Sequence, residues 1–337
     1  MRENKKMKRG VALFLSLMLI MGVMSISASA YTIEPNSLAQ MNEGMDPADG
    51  RVYKYLKAVS NKNITAYTRY TVTVGQNNLS VKGFVINGVA YIPFRAAASL
   101  ISGSKYVYDS SSRTSTMTAP GLEIVAGDGC YVTYANGRAL FNTTPNVIMS
   151  DGRMYIPANV FAKAVGMTTT TTDTGIRISG GYSPLLGADK FYREDEVFWL
   201  GRIIHAESRG ESLMGQIAVG NVVLNRVKSA YYPNTIYSVI FDRKYGVQFS
   251  PVLDGSIYNT PSYTATLAAK ICLEGYDITD GAFFFLEPRL ATSSWIPRML
   301  KFKFNSSAEI LVYSFLFSGL SPINTARAFS AEFLVFS

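Results

Sequence analysis

The chain contains two stretches in which apolar residues repeat with different periods. Between residues 71 and 179, apolar and polar side chains alternate in short runs, separated by turn-forming pairs such as Asn87-Gly88 and Asn136-Gly137. After Asp189, apolar residues recur every three or four positions, as they do on the buried face of a helix. The pattern predicts an α+β protein: a β-rich α+β repeat module, then a mainly helical domain with a small sheet.

The β-rich stretch contains a weak internal repeat with an offset of 64 residues. The run from Asn87 to Pro93 precedes an alanine-rich stretch that ends at Leu100, and the run from Asp151 to Pro157 precedes a similar stretch that ends at Val165. Each unit predicts a turn, a strand, a proline at a helix start and a short helix. Proline suits that place because the first helical position needs no N–H.

Two carboxylates follow an amphipathic segment in the second region. Leu200, Ile203, Ile204, Glu207 and Glu211 recur at i, i+3, i+4, i+7 and i+11. If the helix continues this far, both acids lie on or beside its apolar face. A carboxylate directed at a core is costly unless it is protonated, paired or used in chemistry. The alternative is a solvated acid pair near a helix end.

The first thirty residues have the three parts of a secretory signal peptide. A basic start precedes the apolar run from Val11 to Val23, and Ala28-Ser29-Ala30 provides small residues for cleavage before Tyr31. An uncleaved anchor is the alternative, although this run is shorter than the ~20 residues of a spanning helix. The chain is therefore predicted to be exported, with no transmembrane span after signal cleavage. Its two cysteines, Cys130 and Cys272, do not indicate a disulfide framework.

Charge and ligand counts exclude several classes of function. Half of the formal charge of +8 belongs to the signal peptide, and the mild positive charge that remains suits an anionic wall or membrane surface. No basic cluster of the kind that binds nucleic acid is present. One histidine and two cysteines are too few for a structural zinc site, so we expect no metal and no cofactor.

The first region resembles the copper amine oxidase N-terminal-like module of exported bacterial proteins over about residues 72–178. The residues that carry the resemblance are Ile86–Arg95, Ala135–Arg138 and Asp151–Pro157. This stretch has no histidine, so we expect no copper site despite the name of the module. The resemblance implies a spacer or a wall-attachment module; a β-rich domain without a ligand is the alternative.

The second region carries several motifs in a characteristic order. They are Ala206–Glu211, Gly215–Val227, Pro233–Ile236, Gln248–Val252, Asp254-Gly255 and Ala291–Ile296. Over about residues 196–297 the chain resembles the SleB/CwlJ-type cell wall hydrolases, the spore-cortex-lytic family of endospore-forming bacteria. The resemblance implies a compact lysozyme-like domain that cleaves the glycan strands of peptidoglycan. It also implies that Glu207 is the catalytic acid.

The chemistry of glycan cleavage leaves two roles for Glu211. A glutamate protonates the leaving oxygen near neutral pH only if an apolar setting raises its pKa. One such group suffices for a lytic transglycosylase, since the same Glu207 then accepts a proton from the C6 hydroxyl as an anhydro ring closes. A hydrolase needs a second carboxylate, for which Glu211 is the candidate. Alternatively, Glu211 pairs with Arg209 or Arg226, or acts as a like-charge neighbour that raises the pKa of Glu207.

Five further residues are candidates for substrate binding. Gln248, Phe249 and Ser250 lie in a loop that matches the family, where they either line the glycan cleft or only pack the loop. Tyr232 and Trp295 either stack on sugar faces or belong to the core.

The sequence predicts six segments along the chain: a signal peptide (1–30), a leader (31–65), the repeat module (66–179), a linker (180–190), the hydrolase domain (191–298) and an atypical tail (299–337). The tail is apolar and lacks the usual ending of the family. It is either a native extension or a frameshifted end. If the final strand is missing, the sheet of the domain is incomplete.

These observations support one function and leave one alternative. The chain is predicted to be an exported enzyme that cleaves the MurNAc-GlcNAc bond in the cell wall or spore cortex of an endospore-forming bacterium, with peptidoglycan strands as its partner. The alternative is a non-catalytic wall-binding protein with a disabled hydrolase-like domain. Glu207 and the intact motif order favour the enzyme, whereas the tail favours the binding protein.

Overall fold

The computed structural model describes residues 64–74, 77–86, 88–141, 147–150, 152–172, 175–244, 246–286, 301–305 and 311–314. The predicted signal peptide, nearly all of the leader and Trp295 lie outside these residues.

Two antiparallel sheets of five strands form the first region. One has the order β1-β2-β3-β10-β9, from Ile64–Val74, Asn77–Ile86, Val89–Pro93, Arg153–Pro157 and Ile148–Ser150. The other is a meander of β4 to β8, from Lys105–Asp109, Thr114–Ala119, Leu122–Gly127, Val132–Ala135 and Arg138–Phe141. A separate hairpin joins β11 (Thr168–Thr172) to β12 (Gly175–Ser179).

The internal repeat places its two units side by side. Strand β3 leads into α1 (Phe94–Ser99), and β10 leads into α2 (Ala158–Ala164). The two strands pair antiparallel with Ile92 opposite Ile156, which is the equivalent position of the other unit. The units therefore meet about a local two-fold axis. Pro93 and Pro157 occupy the N-cap rather than the first helical position, because each still has the extended backbone of its strand.

The Asn136-Gly137 turn forms as its sequence predicts. Both residues have positive φ angles, 50° and 77°, which the tight turn between β7 and β8 requires. The Asn136 side chain donates to the carbonyl oxygens of Gly121 (2.8 Å) and Leu185 (2.7 Å). The turn thus also anchors the segment that was predicted to be a linker.

Helices dominate the second region. Their bounds are α3 Ala188–Phe191, α4 Glu194–Ser208, α5 Leu213–Lys228, α6 Ile236–Ile240, α7 Pro251–Asp254 and α8 Tyr263–Leu273, with a 3-10 turn at Ser256–Tyr258. The long helices α4, α5 and α8 pack together over a core that includes Leu200, Ile204, Ile217, Val223 and Ile271. The predicted α+β class, with a β-rich region before a mainly helical one, is confirmed. None of the described helices is long and apolar enough to cross a bilayer.

The helices meet at a glycine. A Cβ atom added to Gly220 on α5 would lie 2.7 Å from Cys272 Sγ and 2.8 Å from Ile204 Cδ1. The absence of a side chain therefore allows α4, α5 and α8 to approach closely. Cys272 and Cys130 are both buried and are not joined by a disulfide in this structure.

The segment that was predicted to be an atypical tail contributes strands. Strand β13 (Phe284–Leu286) pairs with β15 (Leu311–Ser314), which pairs in turn with β14 (Lys301–Asn305). The result is a three-stranded antiparallel sheet of order β13-β15-β14. The predicted tail therefore contributes two strands to this sheet, and β13 is not left without a partner strand.

The two regions share a buried ionic contact. Arg138 on β8 donates from Nε and Nη2 to the two carboxylate oxygens of Glu274, both at 2.8 Å, and the Glu274 side chain is only 2% exposed. Lys163 lies 3.0 Å from the same carboxylate, and Tyr192 Oη donates to it at 2.9 Å. The Arg138 guanidinium also lies over the Phe191 ring.

The segment 180–190 is bonded to the module along its length rather than free. The backbone N–H groups of Ser183, Leu185 and Ala188 donate to the carbonyls of Val165, Ala164 and Asn136. Apolar residues of the module, such as Tyr131 and Val132, belong to the same core cluster as the catalytic helices. The module and the helical region therefore pack as neighbours with a common core.

Candidate active site

Glu207 lies on the last turn of α4, at the edge of the helical core. Leu200, Ile203 and Ile204 precede it on the same side of the helix, and all three are fully buried. The residue as a whole is only partly exposed. The sequence spacing thus correctly predicts an acid beside an apolar face.

The surroundings of Glu207 bring its pKa close to neutral pH. Burial raises the pKa of Glu207 to about 7, the positive charge of Arg226 acts against this rise, and the negative charge of Asp254 adds to it. A carboxyl group with this pKa is a competent proton donor at neutral pH and a competent acceptor once ionised.

Glu211 does not lie on the helix that carries Glu207. Helix α4 ends at Ser208, and Ser212 already caps α5 by accepting from the Gly215 N–H at 3.3 Å. The prediction that Glu207 and Glu211 share one helical face is therefore wrong. Gly210 is a poor helix former, and the chain turns there. Within the turn, the Glu211 N–H donates to the Ser208 carbonyl, and the Glu211 carbonyl accepts from Gln216 Nε2 at 3.0 Å. A role for Glu211 as second carboxylate stays a prediction.

Arg226 is a buried cation that interacts electrostatically with Glu207. Its side chain comes from the buried face of α5, and the residue is 5% exposed. Nε donates to the Phe283 carbonyl at 3.0 Å, and the guanidinium lies 5.1 to 5.4 Å from the ring centres of Tyr232, Phe249 and Phe284. Among the residues that the structure describes, no side chain forms a salt bridge with Arg226, and its Nη1 has no hydrogen-bond partner.

The rings of Tyr232, Phe249 and Phe284 form an aromatic cage around Arg226, and two of these residues were predicted to bind substrate. Phe249 is 3% exposed and stacks on Phe285 with ring centres 6.5 Å apart. Tyr232 is partly buried against Phe283, and burial raises the pKa of its hydroxyl. As placed, the Phe249 ring packs within the protein rather than on its surface, which fits the loop-packing alternative.

Gln248 and Ser250 lie in the loop before α7. Gln248 Nε2 donates to the Gly246 carbonyl at 3.0 Å, and the Ser250 carbonyl accepts from the Asp254 N–H at 3.2 Å. The loop thereby presents Asp254, whose carboxylate is exposed and accepts from the Ser256 N–H at 2.7 Å. Those hydrogen bonds lower the pKa of Asp254, so it is negatively charged at neutral pH.

Two buried asparagines of α5 were missed as site residues. Asn221 Nδ2 donates to the Tyr276 carbonyl at 2.7 Å, and its Oδ1 accepts from the Ile278 N–H at 3.0 Å. Asn225 Nδ2 donates to Thr279 Oγ1 and to the Ala282 carbonyl. Both side chains hold the segment that leads into β13. Phe283 lies in this segment, and its carbonyl accepts the hydrogen bond from Arg226. The sequence feature that could have identified them is a set of polar residues on an otherwise apolar helix: Asn221, Asn225 and Arg226.

His205 is a structural residue here. Its Nδ1 accepts from the Ser262 N–H at 3.1 Å, at the start of α8, and burial, aided by Arg209, lowers its pKa. In the part of the chain described above, no group of three or more histidine, cysteine or carboxylate side chains is arranged to hold a metal ion.

Comparison with known proteins identifies both regions. Residues 210–307 match the Cell Wall Hydrolase family, and residues 72–178 match the Copper amine oxidase N-terminal domain. The family resemblance is confirmed. The first match begins three residues after Glu207, so the role of Glu207 rests on its motif and on the geometry given above. The match also reaches into β14, which lies in the predicted tail.

Curated relatives of this chain are spore cortex-lytic enzymes. The protein of that name from Bacillus cereus is 36% identical over 152 residues, which cover 43% of this chain and 57% of the relative. Those from Halalkalibacterium halodurans and Bacillus subtilis are 38% and 35% identical over 105 residues, about a third of each protein. The chain thus spans between about a third and a little more than half of the length of the curated relatives that it matches.

Solved structures of two catalytic domains are also similar in sequence. They are the catalytic domain of the germination-specific lytic transglycosylase SleB from Bacillus anthracis and that of the Bacillus cereus SleB protein, each 36% identical. Each match covers 36% of this chain, and 97% and 92% of the two domains, with a TM-score of 0.33 in both cases.

Proposed function

We propose that this chain is an exported enzyme that cleaves the MurNAc-GlcNAc bond of peptidoglycan as a lytic transglycosylase, with Glu207 as its acid and base. The observation that carries the proposal is the environment of Glu207: an apolar helix face, partial burial and a pKa of about 7. A role in the lysis of spore cortex or cell wall is supported by relatives named spore cortex-lytic enzymes and by the match to the Cell Wall Hydrolase family.

The reaction needs one carboxyl group and no water. Protonated Glu207 donates to the glycosidic oxygen while the bond from that oxygen to C1 of the muramic residue breaks. The C6 hydroxyl oxygen of the same residue then bonds to C1 and releases its proton to the Glu207 carboxylate. An anhydro ring and a shortened strand are the products, and Glu207 returns to its starting state.

The carboxylates near Glu207 bear on the choice between transglycosylation and hydrolysis. Asp254 acts electrostatically on Glu207, and Glu211 lies in the turn after α4, four residues beyond Glu207 along the chain. Since Glu211 is not on the helical face of Glu207, the geometric argument for a second carboxylate at that position is weakened. The single-acid mechanism is therefore the better-supported one.

Turnover of purified sacculi tests this function. The wild type and a Glu207→Gln variant are incubated with spore cortex and with vegetative walls, and soluble fragments are identified by mass spectrometry. Fragments with anhydro-muramic ends from the wild type, absent with the variant, are the expected result. Fragment release by the variant at the wild-type rate would exclude Glu207 as the acid. Binding to sacculi without fragments from either protein would favour a wall-binding protein instead.

A further inference from the structure

The guanidinium of Arg226 is buried among aromatic rings. Its Nε donates to the Phe283 carbonyl, and the rings of Tyr232, Phe249 and Phe284 surround it. Its Nη1 atom is buried without a partner in the described part of the chain. A buried charge without a counterion is costly, so its presence calls for a reason.

Glu207 is one of three acidic groups that interact electrostatically with Arg226. Burial lowers the pKa of Arg226, whereas Tyr232, Glu207 and Asp242 act in the opposite direction. Glu207 is in turn affected by Arg226 and Asp254. Two other charged neighbours lie outside this pairing: Arg209 is exposed beyond the helix end, and His205 accepts from the Ser262 N–H. Glu211 lies in the turn after α4.

We propose that Arg226 is a positioning residue for the reaction, whose caged positive charge stabilises the carboxylate that Glu207 becomes as it gives its proton to the leaving oxygen. The interaction is weak while Glu207 is neutral and grows as the proton leaves. It therefore favours the transition state over the ground state, which is the condition for acceleration. The same charge keeps the carboxylate in place until it accepts the proton of the C6 hydroxyl.

The aromatic cage explains how the charge is kept in place. Three ring faces exclude water from the guanidinium, so its field is weakened little by solvent or salt. The bond to the Phe283 carbonyl fixes its orientation, and Asn225 holds the neighbouring Ala282 carbonyl. In this account the role of the predicted binding residues Tyr232 and Phe249 is to form the cage.

The pH dependence of sacculus digestion tests this proposal, which rests on the proposed function. Removal of the positive charge in Arg226→Met should raise the pKa of Glu207, so the alkaline limb of the rate profile should move to higher pH while the maximal rate falls. Arg226→Lys keeps the positive charge, so the alkaline limb of its rate profile should stay near that of the wild type. Arg226→Gln retains an N–H donor for the Phe283 carbonyl and serves if the Met variant does not fold.

Lys228→Gln is the matched control, since it removes an exposed cation from the same helix and should leave the limb in place. Carbon-13 titration of the Glu207 carboxyl group in each folded variant gives the same shift without turnover. A lowered rate with an unmoved limb and an unmoved titration in Arg226→Met and Arg226→Gln would overturn the proposal. If Glu207→Gln retains full activity, the proposed function itself fails, whatever the Arg226 variants show.

Discussion

At the residue scale, the proposed chemistry depends on one carboxyl group, on which two opposite charges act. Burial and Asp254 favour the protonated form of Glu207, and Arg226 favours the ionised form. The balance near pH 7 lets one residue donate a proton and then accept one, as a transglycosylase requires.

The raised pKa of Glu207 predicts a cost in stability. Between pH 4.5 and about 7 the folded protein binds a proton that the unfolded chain has lost, so the free energy of unfolding should fall as pH rises through this range. The loss amounts to about 3 kcal/mol. The Glu207→Gln variant lacks this titration. Between pH 4 and pH 8, its free energy of unfolding in denaturant should therefore rise relative to that of the wild type. A constant difference between the two proteins would contradict this assignment.

Asp254 should shift the activity profile in the direction opposite to Arg226. Asp254→Asn removes a negative charge that acts on Glu207, so the pKa of Glu207 should fall and the alkaline limb should move to lower pH. Because Asp254 is exposed, the shift should shrink in high salt. Rates measured across pH at two salt concentrations check both statements; a shift to higher pH would be inconsistent with the geometry.

The sequence predicted Glu207 but not the residues that tune it. Apolar periodicity is visible along one helix, which is why Leu200, Ile203 and Glu207 share a face as expected. Arg226 and Asp254 come from other elements, and their approach to Glu207 depends on packing that no local pattern encodes. Glu211 was misplaced because a period of 3.6 was continued through Gly210, where the helix has already ended.

At the element scale, the repeat module has one glycine at a position that tolerates no side chain. Gly166 follows α2 with a φ of 72°, and a Cβ atom there would lie 1.7 Å from the Ser183 carbonyl oxygen. Gly166 is where the segment after the module closes onto α2, since Ser183 donates to the Val165 carbonyl.

Gly166→Ala should therefore be strongly destabilising, whereas Gly152→Ala should cost only the strain of a positive φ. Gly152 has a φ of 68°, but nothing lies within 4 Å of its added Cβ atom. The strain alone is worth about 1 to 2 kcal/mol. Thermal unfolding of both variants should show a much larger loss for Gly166→Ala; equal losses would mean that the chain near Ser183 can move aside freely.

Elements with strong local signals were predicted well. The strands of the repeat and the Asn136-Gly137 turn form where the pattern places them, and the region after Asp189 is mainly helical as predicted. The strands β14 and β15 were missed because their partner, β13, is short and distant in sequence. Strand pairing of this kind depends on long-range contacts, which an apolar run alone does not reveal.

At the scale of the whole molecule, the module and the helical region are joined through Glu274. Burial raises the pKa of Glu274, but hydrogen bonds from Arg138, Lys163 and Tyr192 outweigh it and hold the pKa below its ordinary value. The contact therefore stabilises the protein at pH values above the ordinary pKa of a glutamate. This stabilisation is lost as the pH falls through the lower pKa that Glu274 has in the folded protein. A module docked in this way has a fixed orientation relative to the catalytic helices.

Loss of one partner should uncouple the two regions. Glu274→Gln leaves Arg138 buried without its counterion, which costs about 3 to 5 kcal/mol. The single unfolding transition expected of the wild type should then split into two. The double variant Arg138→Met, Glu274→Met should recover much of the loss, since an apolar pair replaces a buried ion pair at little cost. A single transition in all three variants would show that the shared apolar core alone couples the regions.

The most direct test of the account is digestion of spore cortex sacculi in ¹⁸O-labelled water, followed by mass spectrometry of the new sugar ends. The single-acid mechanism predicts anhydro-muramic ends without ¹⁸O, because the oxygen that bonds to C1 comes from the C6 hydroxyl. The wild type should form these ends, and the Glu207→Gln variant should not. Reducing ends that carry ¹⁸O would show attack by water and contradict the single-acid mechanism, and unlabelled anhydro ends from Glu207→Gln would contradict the role of Glu207.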